Sequence, residues 1–136
     1  MITNYDVLNL SSNYIDTNIF KFIDNIINKN KKEAIITYHE LLKIGEEPIK
    51  IIIMLSNQFR LMYQVKNFTK KGYTEDKIAT ILHTKRYPVH LAIQSSYKYS
   101  DKVLLNNLEA VADLDIKIKT GIIDKNLALE LYLLSL

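Results

Sequence analysis

Cysteine is absent from the 136 residues. That excludes disulfides, thiol catalysis and cysteine-based zinc sites together, and it fits a reducing cytosol. Glycine occurs three times and proline twice, far below the ~7% and ~5% of average proteins. A sandwich or barrel needs a turn signal every 8–12 residues or so, so this shortage argues against an all-β fold. Arginine is scarce as well: of 18 basic residues, all but Arg60 and Arg86 are lysine. The formal net charge of +3 is too small to diagnose nucleic-acid binding, which depends on a clustered basic face. No apolar run approaches the ~18 residues of a membrane span. The opening Met1–Asn13 stretch lacks the basic-then-apolar order of a secretory signal. The expectation is one cytoplasmic domain without a membrane segment.

Helical periodicity is what the sequence has. Ile19, Phe20, Phe22, Ile23, Ile26 and Ile27 recur at three- and four-residue spacing behind the N-cap candidates Asp16, Thr17 and Asn18. Ala34, Ile35, Tyr38, Leu41 and Leu42 mark a second helix that Gly45 should end. Pro48 opens the longest helix, at a first-turn position where a missing N–H costs nothing. From Ile49 to about Lys71 its apolar residues cover more than one stripe, so it is expected to be central and packed on several sides. Thr74 starts a short helix reaching Leu82, and another runs from Pro88 to Lys98. Ser100 and Asp101 cap a long helix that Lys119, Thr120 and Gly121 end. A last helix follows Asp124, and its Leu131, Leu133 and Leu134 cannot all face one core stripe. The predicted fold is all-α, a single domain of about seven helices.

Chemistry is sparse. The glycines Gly45, Gly72 and Gly121 each follow a helical pattern and form no phosphate cradle. His39, His83 and His90 lack the i, i+4 spacing of a helical metal pair. Asp113 and Asp115 lie two apart on one helix and cannot act as a carboxylate pair. No catalytic, cofactor or metal site is expected. The helices within 74–98, joined by a turn, could form a helix-turn-helix DNA reader with Lys85 and Arg86 near the turn. Its second helix, however, offers only Gln94 as a base contact. Lys66, Lys70 and Lys71 could add phosphate contacts, although lysines at a helix end also serve the dipole. Gln58 and Arg60 form a polar pair in an otherwise apolar helix, and Arg60 is expected near Asp113 or Asp115.

Certain pieces recur in a familiar order: Gly45-Glu46-Glu47-Pro48-Ile49, Gln58-Phe59-Arg60, Ile78-Ala79, then Asp115 through Gly121 with Lys119 inside, and finally Asp124 with Leu127-Ala128-Leu129-Glu130. This ordered set resembles the C-terminal part of the delta subunit of the bacterial DNA polymerase III clamp loader. The resemblance implies a helical collar over 17–136, preceded in 1–16 by the tail of a lid domain or a linker, so that the chain looks like an excised collar. It also implies an assembly role, packing against delta-prime and tau/gamma subunits, with the sliding clamp and primed DNA reached through the full complex in DNA replication. No catalysis is then expected of this chain itself; nucleotidyl transfer belongs to the parent holoenzyme. Structural or interface roles are expected for Gln58, Phe59, Arg60, Asp115, Lys119, Gly121, Leu131, Leu133 and Leu134. The helix-turn-helix DNA-binding regulator is the alternative.

Overall fold

The computed structural model describes residues 18–136, and among these it contains seven helices and no strand. The helices are α1 (18–27), α2 (Lys31–Lys43), α3 (Pro48–Lys70), α4 (Glu75–Ile81), α5 (Arg86–Ser96), α6 (Asp101–Lys119) and α7 (Ala128–Leu134). The cap expected at Asp16 and Thr17, and the lid-tail or linker assignment of 1–16, lie outside the described residues.

Five helices stop in the same way. Lys29, Gly45, Gly72, His83 and Gly121 have φ of 58°, 94°, 87°, 53° and 77°. In each case the N–H of the next residue donates to a carbonyl five positions back: Asn30 to Asn25, Glu46 to Leu41, Tyr73 to Phe68, Thr84 to Ala79 and Ile122 to Lys117, at 2.8–3.2 Å. This closure satisfies carbonyls that the helix would otherwise leave open. Only glycine adopts the left-handed conformation without a steric penalty, so the three glycine stops show their backbone in the sequence, whereas the breaks at Lys29 and His83 are visible there without their left-handed conformation. Lys119 does not serve the terminal carbonyls of α6 as its position suggests. Its ammonium pairs with Asp115 at 2.8 Å instead.

Helix starts follow side-chain chemistry. The Thr74 hydroxyl accepts the Lys77 N–H at 3.3 Å, and the Ser100 hydroxyl accepts that of Val103 at 3.2 Å. α5 begins at Arg86, two residues earlier than the position of Pro88 suggests, because a proline in the first turn removes no helical hydrogen bond. α7 begins late, after a turn in which the Asn126 N–H donates to the Asp124 carboxylate at 2.7 Å.

α3 is the axis of the molecule. Its 23 residues span about 35 Å at 1.5 Å per residue, with α5 and α6 packed along it. α4 lies on α5, while α7 bridges α2 and α6. Ile51, Ile52, Leu55, Phe59, Met62 and Val65 of α3 are buried, each contributing roughly 1.5–3 kcal/mol relative to exposure. The core therefore absorbs most of the apolar residues that the sequence left free to face a neighbour. Phe59 is a core residue. α6 runs antiparallel to α3: Lys66 and Lys70 near the end of α3 meet Asp101 at the start of α6, and Ile53 lines a groove with Ile116. α1 is tied to the end of α5 through Asp24, which accepts from the Tyr99 hydroxyl at 2.7 Å and from Lys98 at 3.1 Å. Burial, and then this carboxylate, push the Tyr99 hydroxyl well above the usual tyrosine range.

Candidate assembly interface

α7 has two apolar faces because its leucines occur at two helical phases. Ala128, Leu129 and Leu133 point inward and are fully buried. Leu127, Leu131 and Leu134, spaced i, i+4, i+7, form an outward row, and Leu131 is 52% exposed. Leu133 is thus a core residue of the domain and not an interface leucine, since its phase matches Leu129, one turn earlier. Leu131 also borders a groove between α6 and α7, with Asp113, Leu114, Lys117 and Tyr132. Burial raises the Tyr132 hydroxyl above its ordinary value. Charges sit at the rim: Lys117 pairs with Asp113 at 3.0 Å, and His39 of α2 lies 4.0 Å from Glu130.

A second groove runs between α3 and α6. Ile53 and Ile116, 50% and 58% exposed, border it with Asn57, Arg60, Ala112 and Asp115. Arg60 and Asp115 share this groove, as expected, but no ion pair joins them. The exposed Arg60 guanidinium donates to Asn57 Oδ1 at 3.5 Å, while Asp115 is held by Lys119 and Asp113 by Lys117. An i, i+4 partner on the same helix is closer than one across the groove, which is why neither aspartate reaches Arg60. Gln58 is not among the residues lining this groove, and its buried Oε1 has no hydrogen-bond partner among the described residues. Ile53, Ile116 and Leu127 were missed by sequence reasoning. Their only signal was a helical phase opposite to the buried residues of their own helices.

The basic candidates are mostly occupied. Lys66, only 15% exposed at its side chain, donates to the Tyr99 carbonyl and lies 3.7 Å from Asp101. Lys70 pairs with Asp101 at 2.8 Å, and this partner holds the Asp101 carboxyl below its usual range. In the α4–α5 hairpin, Arg86 pairs with Glu75 at 3.4 Å and Asp76 at 3.5 Å, and His90 Nδ1 lies 2.7 Å from Glu75. Of the candidates, Lys71 and Lys85 are exposed with no carboxylate in ion-pair reach among the described residues. The helix-turn-helix reading finds no support here: the arginine that opens its second helix braces the hairpin internally, and the Tyr87, Pro88 and Val89 that follow are not base-reading side chains. Among the described residues no group of three or more His, Asp or Glu could hold a metal ion, and no helix is long and apolar enough to cross a membrane.

Comparison with known proteins agrees with the helical order. The model of the family described as DNA polymerase III delta subunit, C-terminal domain, matches residues 16–136. The chain is 41% identical over 135 residues to the DNA polymerase III subunit delta of Bacillus subtilis, covering 99% of this chain and 39% of that protein. It is 26% identical over 93 residues to a probable DNA polymerase III subunit delta of Aquifex aeolicus, covering 68% of this chain and 27% of that one. Among solved structures it resembles the DNA clamp loader delta protein of Bacillus subtilis, with a TM-score of 0.76 and 41% identity over 88% of this chain and 35% of that chain. The chain thus spans well under half the length of the relatives it matches.

Proposed function

This chain belongs to the family of C-terminal domains of the DNA polymerase III delta subunit, and from that premise we propose that it is the collar-type assembly module of a clamp loader. In this reading it packs against the collars of the delta-prime and tau/gamma subunits, and the complex so held together loads the sliding clamp onto primed DNA. The module itself carries out no chemistry and acts in the cytoplasm with the replication machinery. The observation that carries the reading is the outward row Leu127, Leu131 and Leu134 on α7. A row of leucines left in water on a helix whose other face is already buried is unfavourable for a monomer, and a partner surface removes that cost. Interface cores are depleted in charge, and α7 and the neighbouring groove keep their charged groups at the rim.

The test is co-purification of this chain with delta-prime and tau/gamma, beside a titration with primed DNA. Leu131→Glu combined with Leu134→Glu should strip the chain from its partners while leaving it folded. Lys71→Ala combined with Lys85→Ala should leave assembly intact, since exposed charges contribute ~1 kcal/mol or less each. Retained assembly in the leucine variant, with assembly lost in the lysine variant, would defeat the proposal.

A further inference from the structure

We infer that the groove between α3 and α6 receives a helix of a neighbouring subunit that presents a carboxylate to Arg60 between aliphatic side chains. The inference rests on the assembly reading and adds to it the place and the chemistry of one contact. Ile53 and Ile116 face water from opposite walls of the groove, and Leu105 extends the exposed apolar line along α6. Between the two isoleucines the charged groups are Arg60 and Asp115. Asp115 is neutralised by Lys119 at 2.8 Å. Among the described residues Arg60 has only the neutral Asn57 oxygen, at the outer limit of a hydrogen bond. The groove therefore carries one uncompensated positive charge framed by aliphatic walls.

That composition identifies the occupant. A guanidinium presents a planar fork of donors that matches a carboxylate with two parallel bonds. Arginine is also enriched among the few residues that dominate interface energies, where lysine is depleted. The other arginine shows the contrast: Arg86 is already matched by Glu75 and Asp76 within the chain. A nucleic-acid strand is the competing anion, but it is followed by several cations along a groove with aromatic platforms for its bases. Here there is one cation between two isoleucines. A groove between two antiparallel helices accepts the ridge of a third helix, whose i, i+3, i+4 positions supply the aliphatic residues and the acid.

The experiment measures the affinity of this chain for purified delta-prime and tau/gamma, and separately for primed DNA. Wild type is compared with Arg60→Ala, Arg60→Glu, Ile116→Asp and the Leu131→Glu/Leu134→Glu pair. All five proteins should melt alike, because every changed residue is exposed. Arg60→Ala should weaken subunit binding about tenfold or more, Ile116→Asp similarly, and Arg60→Glu distinctly more than Arg60→Ala, because it sets two carboxylates against each other. Wild-type affinity in Arg60→Glu would overturn the inference, and so would a loss equal to that of Arg60→Ala. A loss of DNA binding in Arg60→Glu with subunit binding intact would assign the groove to nucleic acid instead and overturn it too. If the leucine pair loses binding while Arg60→Glu keeps it, assembly stands and the groove falls. If wild type binds neither subunit, both readings fall.

Discussion

His83 and Lys29 end their helices in a backbone conformation that costs about 1–2 kcal/mol for an L-residue. Gly121 ends α6 in the same conformation without that cost, and no atom lies within 4 Å of where its Cβ would stand. The two sites therefore predict opposite responses. His83→Gly should raise stability by up to about 1 kcal/mol, the left-handed penalty less the extra freedom glycine gains when unfolded. Gly121→Val should lower it by on the order of 1–2 kcal/mol, through the backbone alone. Denaturant midpoints of the two variants check the pair. Equal midpoints for wild type and Gly121→Val would show that the closure of α6 does not depend on a left-handed residue.

At the level of single elements, α7 splits one run of leucines into a buried face and an exposed one by phase alone. Leu133→Ala should cost about 2–5 kcal/mol, as for other buried leucines. Leu131→Ala should stay within about 0.5 kcal/mol of wild type, as for an exposed site. Comparable losses at both positions would show that α7 is enclosed on both faces. The α4–α5 hairpin makes a different prediction, about pH. The hydrogen bond from His90 holds the Glu75 carboxyl below its ordinary value of 4.5, with help from Arg86 and against some desolvation. A carboxyl lowered on folding stabilises the fold above its unfolded value, and that contribution disappears as the pH falls through the folded one. The stability gap between wild type and Glu75→Gln should accordingly be present above the ordinary carboxyl value and shrink as the pH is lowered below it. A gap that persists unchanged in acid would mean that Glu75 acts through packing and not through its charge.

Across the whole molecule, much of the architecture is legible in the residues alone. Glycines at 45, 72 and 121 and the caps at Thr74 and Ser100 mark helix ends by local chemistry, and local chemistry is what a sequence displays directly. The breaks at Lys29 and near His83 were read from the polar interruption and the turn, but their left-handed backbone was not, because nothing in those side chains favours it; only the closing hydrogen bonds impose it. The candidate surface was half legible. The run Leu131 to Leu134 announced that some leucines must face outward, but which ones depended on where α7 starts, and the turn at Asp124 set that phase. Arg60 was expected near Asp113 or Asp115, and it does share a groove with Asp115, yet the two do not pair, because Lys119 lies one turn from Asp115 on its own helix. Lys66 and Lys70 looked available in sequence, and Asp101 claims both only because α6 returns antiparallel to α3.

Two proposals stand at the centre: that α7 is an assembly surface, and that the α4–α5 hairpin does not read DNA. Amide hydrogen exchange of this chain, alone and in complex with delta-prime and tau/gamma, tests them most directly, since exchange slows where a partner restricts local opening. The expected result is slowed exchange across Ala128–Leu134 on assembly, with Glu75–Ile81 and Arg86–Ser96 unchanged. Unchanged exchange over Ala128–Leu134, with protection appearing in the hairpin, would contradict both.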